Sequence, residues 1–213
     1  MIKSLKTRKN AIQSVKWSVD YARIRHNAYR KLNHAVAFFE NSAGNLNEAL
    51  EWKTLGISAR KNHILKFVNH VAGFGAKKDN LTVNFPGAGP SRGALAGTHS
   101  NGRKIEIYDQ LTAADNYAPV PEVARHEVQH VDQIEGEDTT LSPETVKICT
   151  ENYIRPDEDD DAYRNGNAME VEAFETGKIV GRGVMEYLDQ MRRMQNSRNN
   201  KFITRQNGLQ LAA

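Results

Sequence analysis

An α+β fold, with a small antiparallel sheet set among helices and a helical region in front of it, follows from three features of the sequence. Apolar residues recur at spacings of three and four along most of the chain, period-two runs are confined to residues 81–108, and the first 75 residues contain no such run. With 213 residues, 39% hydrophobic and 26% charged, the chain has a globular composition and the length of one ordinary domain with added helices. The pattern divides it into a basic helical region over 1–78, an α+β domain over 79–195 and a polar tail over 196–213.

From Ile12, the positions Val15, Val19, Ala22, His26, Tyr29, Leu32, Val36 and Phe39 keep helical spacing, which predicts one long helix or two in line ending near Asn41-Ser42-Ala43-Gly44. A shorter helix around Ala49, Trp52 and Leu55 and another through Ile64, Phe67, Val68 and Val71 complete this region, the last stopped by Gly73 and Gly75. Leu81–Phe85 alternates at period two between Asn80 and Pro86 and reads as a short strand. Ala94–His99 and Lys104–Tyr108 flank Ser100-Asn101-Gly102-Arg103, whose Asn-Gly predicts an antiparallel hairpin. Pro119 and Pro121 open a helix that Gly136 ends, and Ser142-Pro143-Glu144 opens the next with an N-cap and a first-turn proline. A long helix from about Ala168 to Met194 follows, and the residues from Gln195 read as a loose polar tail.

Charge is segregated. Residues 1–78 carry fifteen Lys or Arg against Asp20, Glu40, Glu48 and Glu51, whereas residues 120–175 carry sixteen Asp or Glu against Arg125, Lys147, Arg155 and Arg164. The basic segment could meet an anionic partner, nucleic acid included, but the two segments should attract each other as readily. No apolar run reaches the length of a membrane helix, and the opening MIKSLKTRKNAIQSVKW has no continuous apolar stretch of the secretory type, so the expectation is a cytoplasmic protein without a membrane partner. The single Cys149 excludes an internal disulfide or a cysteine-rich metal site, and its helical spacing from Val146 and Tyr153 makes it a core residue.

The chemistry concentrates in His126-Glu127-Val128-Gln129-His130, an H-E-x-x-H motif on the helix after Pro121. Residues four apart lie one turn apart on one face, so both imidazoles can reach one metal ion while Glu127 can take a proton from a water on that metal. With seven His and fifteen Glu in the chain, chance produces this motif in about one such sequence in sixty. Zinc suits the ligands and brings the pKa of a bound water to about 7. Such sites take a third protein ligand, and no histidine follows His130. The candidates are Glu170, Glu172 and Glu175. Glu170 shares its side with Ala173, Gly177, Gly181 and Val184, which permit close approach to another helix, and is favoured; Glu172 shares a more polar side with Glu175 and Thr176. In an alternative, Asn167 caps the helix and Glu170 closes a variant capping box.

These residues resemble the zincin metallopeptidases, in particular the gluzincin type, in which a glutamate from a downstream helix completes the zinc site. The strings Ala-Arg-His126-Glu-Val-Gln-His130-Val-Asp-Gln133 and Met-Glu170-Val-Glu-Ala173 are also similar to zincin-like domains in polyvalent proteins of phages and mobile elements. The resemblance covers roughly residues 80–190. It implies a hydrolase of peptide or protein substrates with His126, His130 and Glu170 on zinc and Glu127 as the base. It further implies an edge strand on which an extended peptide pairs, for which Gly93-Ala94-Leu95-Ala96-Gly97-Thr98 is the candidate. Gluzincins often carry an acidic residue four positions after the glutamate ligand; Phe174 stands there.

A peptidase also needs a donor to the tetrahedral oxyanion, for which Tyr153, Tyr163 and Arg164 are candidates. Asp157–Asp161 lacks the spaced ligands and central glycine of a calcium loop and reads as a solvated loop. Gly87–Gly93 has Arg92 where a dinucleotide loop needs glycine, and no Lys follows in the phosphate-loop pattern. Two other classes of function fit the sequence: a zincin-like binding or structural module without peptidase activity, and a nucleic-acid-associated protein acting through its basic helices.

Overall fold

The structure is a computed structural model that describes residues 3–74, 81–90, 94–99 and 101–210. It is mostly helical, with a three-stranded sheet. Helix α1 (Leu5–Val15) begins where the Ser4 hydroxyl accepts the Thr7 N–H. A 3-10 turn over Lys16–Ser18 interrupts the apolar stripe, and the Asp20 carboxylate accepts the Arg23 N–H to start α2 (Tyr21–Glu40). The stripe is also rotated from the predicted one. Ile24, Ala28, Lys31, Ala35, Phe38 and Phe39 face inward, while Ala22, His26 and Tyr29 are exposed. Phe38 and Phe39 explain the rotation, because two adjacent large rings at the end of the helix fix which arc is buried.

Ser42 caps α3 (Ala43–Leu50), a 3-10 turn over Trp52–Thr54 follows, and α4 (Ile57–Ala72) ends at Gly73. Strands β1 (Thr82–Gly87), β2 (Ala96–Thr98) and β3 (Lys104–Tyr108) form a sheet in the order β1-β3-β2. Strands β2 and β3 pair antiparallel, as the Asn101-Gly102 turn requires, with Gly102 at φ 66°. The sheet is nevertheless mixed, because β1 pairs parallel with β3. Period-two alternation marks a strand but carries no information on its direction. Strand β1 also runs through Pro86, where the register shifts between Asn84 and Gly87, and at this edge the missing N–H breaks no ladder bond on which the sheet depends.

After a single turn, α5 (Asp109–Thr112), come α6 (Pro119–Glu135), α7 (Pro143–Glu151) and α8 (Ala168–Gln210). Gly136 ends α6 at φ 72°, a left-handed cap that costs glycine little. Helix α8 continues past Gln195, beyond the point at which the loose polar tail was expected, to Gln210. Phe39, Trp52 and Phe67 of the first 78 residues share one core with Ile105 and Ile107 of β3, Val120 and Val128 of α6, and Val180 and Val184 of α8. Cys149 is fully buried beside Leu141, Ala168 and Met169, and burial pushes its thiol up, so it serves as a core residue.

Two packing features place the site. Helices α6 and α8 approach closely because α8 presents glycine: a Cβ at Gly181 would lie 2.7 Å from Glu122 Cβ, and one at Gly177 would lie 2.8 Å from the Glu122 carbonyl. On an adjacent face of α6 a buried polar cluster ties it to α2 and α4. Lys31 Nζ donates to Gln129 Oε1 at 2.6 Å and to the Asp138 carbonyl at 2.8 Å, and Arg125 pairs with Asp132 while donating to the Val71 carbonyl at 3.2 Å. Burial depresses Lys31 to about 8, against the pull of Asp132 and Asp138. The attraction between basic and acidic segments is realised here and at α1, where Arg8 meets Glu158 at 2.7 Å and Lys9 meets Asp159 at 2.5 Å. Among the described residues no helix is long and apolar enough to cross a membrane.

Candidate metal centre

The helical arithmetic of the motif holds in three dimensions. His126 and His130 leave α6 one turn apart, with Nε2 atoms 3.2 Å from each other. Glu170, in the first turn of α8, sets Oε2 at 3.4 Å from both nitrogens. All three side chains are buried, and the group could hold a metal ion. The triangle has the right size: tetrahedral ligands each about 2.0–2.1 Å from a zinc-sized ion stand about 3.3–3.4 Å apart.

Two further observations show that this spot calls for positive charge. Glu170 Oε2 is buried without a hydrogen-bond partner, an arrangement that is costly unless a cation or proton satisfies it. Burial alone would raise the Glu170 carboxyl, but the charge on His130 and the approach of both imidazoles to 3.4 Å outweigh it and hold the group below the usual carboxylate range. The same pairing works on His130. Burial lowers this imidazole, yet the charge of Glu170 overcomes that and pushes it up to about 9.

Glu170, Glu172 and Glu175 all stand as third-ligand candidates in the sequence, and the structure separates the three. Glu175 is half-buried near Lys178, with 3.8 Å between the charged atoms. Glu172 is buried but directed away from the histidine nitrogens, accepting from Thr139 Oγ1 at 2.6 Å, the Thr140 N–H at 2.6 Å and Gln133 Nε2 at 2.8 Å. Gln133 then accepts the His130 Nδ1 proton through Oε1 at 2.9 Å, so that in the neutral imidazole Nε2 is the atom that carries the lone pair, and its amide also donates to the Met169 carbonyl at 2.9 Å. This support was missed in the sequence, although Gln133 stands three residues after His130 on the same helix. Asn167 does cap α8, accepting the Met169 N–H at 3.0 Å, but Glu170 turns to the histidines and closes no box.

Phe174 takes no hydrogen bond from a histidine; it packs its ring against His126 with 4.5 Å between centroids. Tyr163 continues this aromatic wall at 6.0 Å from Phe174, and Tyr153 stands 6.1 Å beyond it. Burial first, and then the negative charge of Glu170, raises both phenols above their ordinary value. Tyr163 lies in a π-helical turn, Ala162–Gly166, directly before α8. Arg164 points elsewhere, pairing with Asp160 at 2.8 Å and covering the Phe174 ring at 5.3 Å. Glu127, adjacent to His126, is held by β2: the Thr98 hydroxyl lies 2.8 Å from Glu127 Oε2 and 3.0 Å from its carbonyl. The proposed edge segment is therefore a strand only over Ala96–Thr98, at one edge of the sheet and against α6, and Gly93 lies outside the described residues.

A scan against protein-family models, a search of curated proteins and a search of solved structures each returned no match.

Proposed function

We propose that the protein is a zinc-dependent metallopeptidase with a gluzincin-like site, in which His126, His130 and Glu170 hold the ion and Glu127 is the general base. The observation that carries this reading is the triangle of ligand atoms, 3.2, 3.4 and 3.4 Å on its sides, with the Glu127 carboxylate on the next residue of the same helix. Bound there, zinc would polarise a peptide carbonyl and acidify a water. Glu127 would accept a proton from the attacking water and pass it to the leaving amine, its carboxylate oriented by the Thr98 hydroxyl. Tyr153 and Tyr163, kept protonated by their raised pKa, are suited to donate to the developing oxyanion. An extended peptide would pair along the free edge of β2, as zincin-like architecture implies.

The test has two parts. Purified protein should carry close to one zinc per chain, and Glu127→Gln should retain the metal while abolishing cleavage of a broad peptide library. Unchanged cleavage by that variant would remove Glu127 from the mechanism.

The burial of all three ligands supports a second reading, a zincin-like module that keeps its metal for stability alone. Under that reading chelation lowers the melting temperature, yet no peptide in the library is cut by the zinc-loaded protein.

A further inference from the structure

The outer face of α2 serves neither the core nor the metal centre. No Asp or Glu occurs between Asp20 and Glu40, while four cations do. Lys31 is spent inside, on Asp132 and Asp138. Arg23, Arg25 and Arg30 stay on the solvent side, and none of them forms an ion pair among the described residues; Arg30 lies over the Phe74 ring at 5.5 Å. Tyr21 and Tyr29, 50% and 60% exposed, stand on either side of Arg25, and Arg23 and Arg30 lie further round the same exposed arc. Tyr21, Arg25 and Tyr29 follow one another at four-residue intervals, which on a helix is about 6 Å of rise per step.

Tyr29 belongs to the helical series that the sequence presents as one apolar stripe, yet it faces solvent. About half of each ring is open to solvent on a cationic helix face, where it is available to a stacking ligand. The cations that the acidic segment does meet from the first two helices are others, Arg8 and Lys9 of α1 at Glu158 and Asp159 and Lys31 at Asp132 and Asp138.

We propose that this face of α2 binds single-stranded nucleic acid, with bases stacked on Tyr21 and Tyr29 and phosphates met by Arg23, Arg25 and Arg30. Stacking on a side chain needs a base whose face is free, which a duplex denies and a single strand offers. The charge is of one sign over the whole arc, as a polyanion requires. A helix that lies in a membrane surface instead exposes Leu, Phe or Trp for embedding; the only aliphatic side chain on this arc is Ala22, the apolar side of α2 being buried in the core. The proposal is independent of the metal centre and holds whether or not the protein cleaves peptides.

Fluorescence anisotropy of a labelled oligonucleotide of about 15 nucleotides, titrated with the full-length zinc-loaded chain from low to moderate salt, provides the test. Binding should weaken steeply with salt, and replacing Arg23, Arg25 and Arg30 by Gln should reduce the log–log slope by about 2, at about 0.7 per phosphate contact on a single strand. Tyr21→Ala with Tyr29→Ala should weaken binding by about thirtyfold or more without changing that slope. All five positions are on the surface, and circular dichroism melts that match the wild type establish that the variants remain folded. Absence of binding at low salt overturns the proposal, as does binding that the tyrosine substitutions leave intact or that an equal length of duplex matches. Retention on phosphatidylserine vesicles with no affinity for the oligonucleotide overturns it in favour of a membrane surface.

Discussion

Replacing Gln133 by Leu tests whether the hydrogen bonds behind the proposed metal ligands matter as the geometry says they should. The side chain joins the His130 Nδ1–H at 2.9 Å to Glu172 at 2.8 Å, with a further bond to the Met169 carbonyl at 2.9 Å. Leucine has similar bulk and no polar atoms, so it removes all three bonds. His130 would then be free to rotate and to place its proton on Nε2, the atom that must stay bare to bind metal. Loss of such an outer support lowers metal affinity about 10–100-fold, or about 1.4–2.7 kcal/mol. Metal-free stability should fall separately, because the bond to the buried Glu172 carboxylate is worth about 1.5–3 kcal/mol. Glu172 keeps its bonds to Thr139 and Thr140, which limits the damage. Competition with a chromophoric zinc chelator measures the affinity, and denaturation in the presence of chelator measures the stability. Glu172→Ala should weaken zinc too, and in the double variant the two affinity losses should not add, since both act through His130. Wild-type zinc affinity for Gln133→Leu, beside a complete loss for His126→Ala, would refute the argument.

Three other outcomes are expected. Zinc at a hundredfold excess over its dissociation constant should stabilise the fold by about 2.7 kcal/mol, which for a chain of this size is about 5–10 °C in melting temperature, and His126→Ala should erase the difference between zinc-loaded and chelated samples. Gly181→Ala should destabilise the protein by about 1–3 kcal/mol and weaken zinc binding, because the new methyl meets Glu122 Cβ at 2.7 Å and must push α8 from α6. Gly183→Ala should spare the metal, since the nearest atoms to its methyl belong to the Leu32 side chain on α2 and not to α6; equal zinc loss in both variants would contradict this. In acid the Arg8–Glu158 pair sets the sign: the guanidinium, followed by the Arg155 N–H, holds Glu158 down at about 2. Its folded value lies below the unfolded one, so its contribution is present above the ordinary carboxylate pKa and is lost as pH falls toward 2. Glu158→Gln should therefore show a shallower decline in melting temperature over that window than the wild type, both measured with chelator present.

The metal-binding half of the candidate site was legible because it is written in local spacing. His126, Glu127 and His130 are fixed relative to one another by helix geometry alone, and the small residues after Glu170 announced the close helix contact that Gly177 and Gly181 make. What could not be read was the pairing of distant segments. Period-two patterning marked β1 but not its parallel partner, and the stripe in α2 was misplaced because Lys31, a charged residue, occupies a core position. Lys31 is inside only because Asp132, Asp138 and Gln129 await it about a hundred residues later, a match that no window of sequence displays.

The two glutamates at the start of α8 show why spacing alone left the third ligand open. Glu170 and Glu172 are two residues apart, so they leave the helix on nearly opposite sides, yet both are buried. The turn is enclosed on both sides: α6 supplies the histidines to one, and Thr139, Thr140 and Gln133 meet the other. Glu170 approaches the Nε2 side of His130, while Glu172 reaches the Nδ1 side through Gln133. One helical turn thus grips a single imidazole from front and back, so ligand and support move together. A shift of α8 that spoiled one would spoil the other, and the close glycine contact with α6 is what prevents that shift.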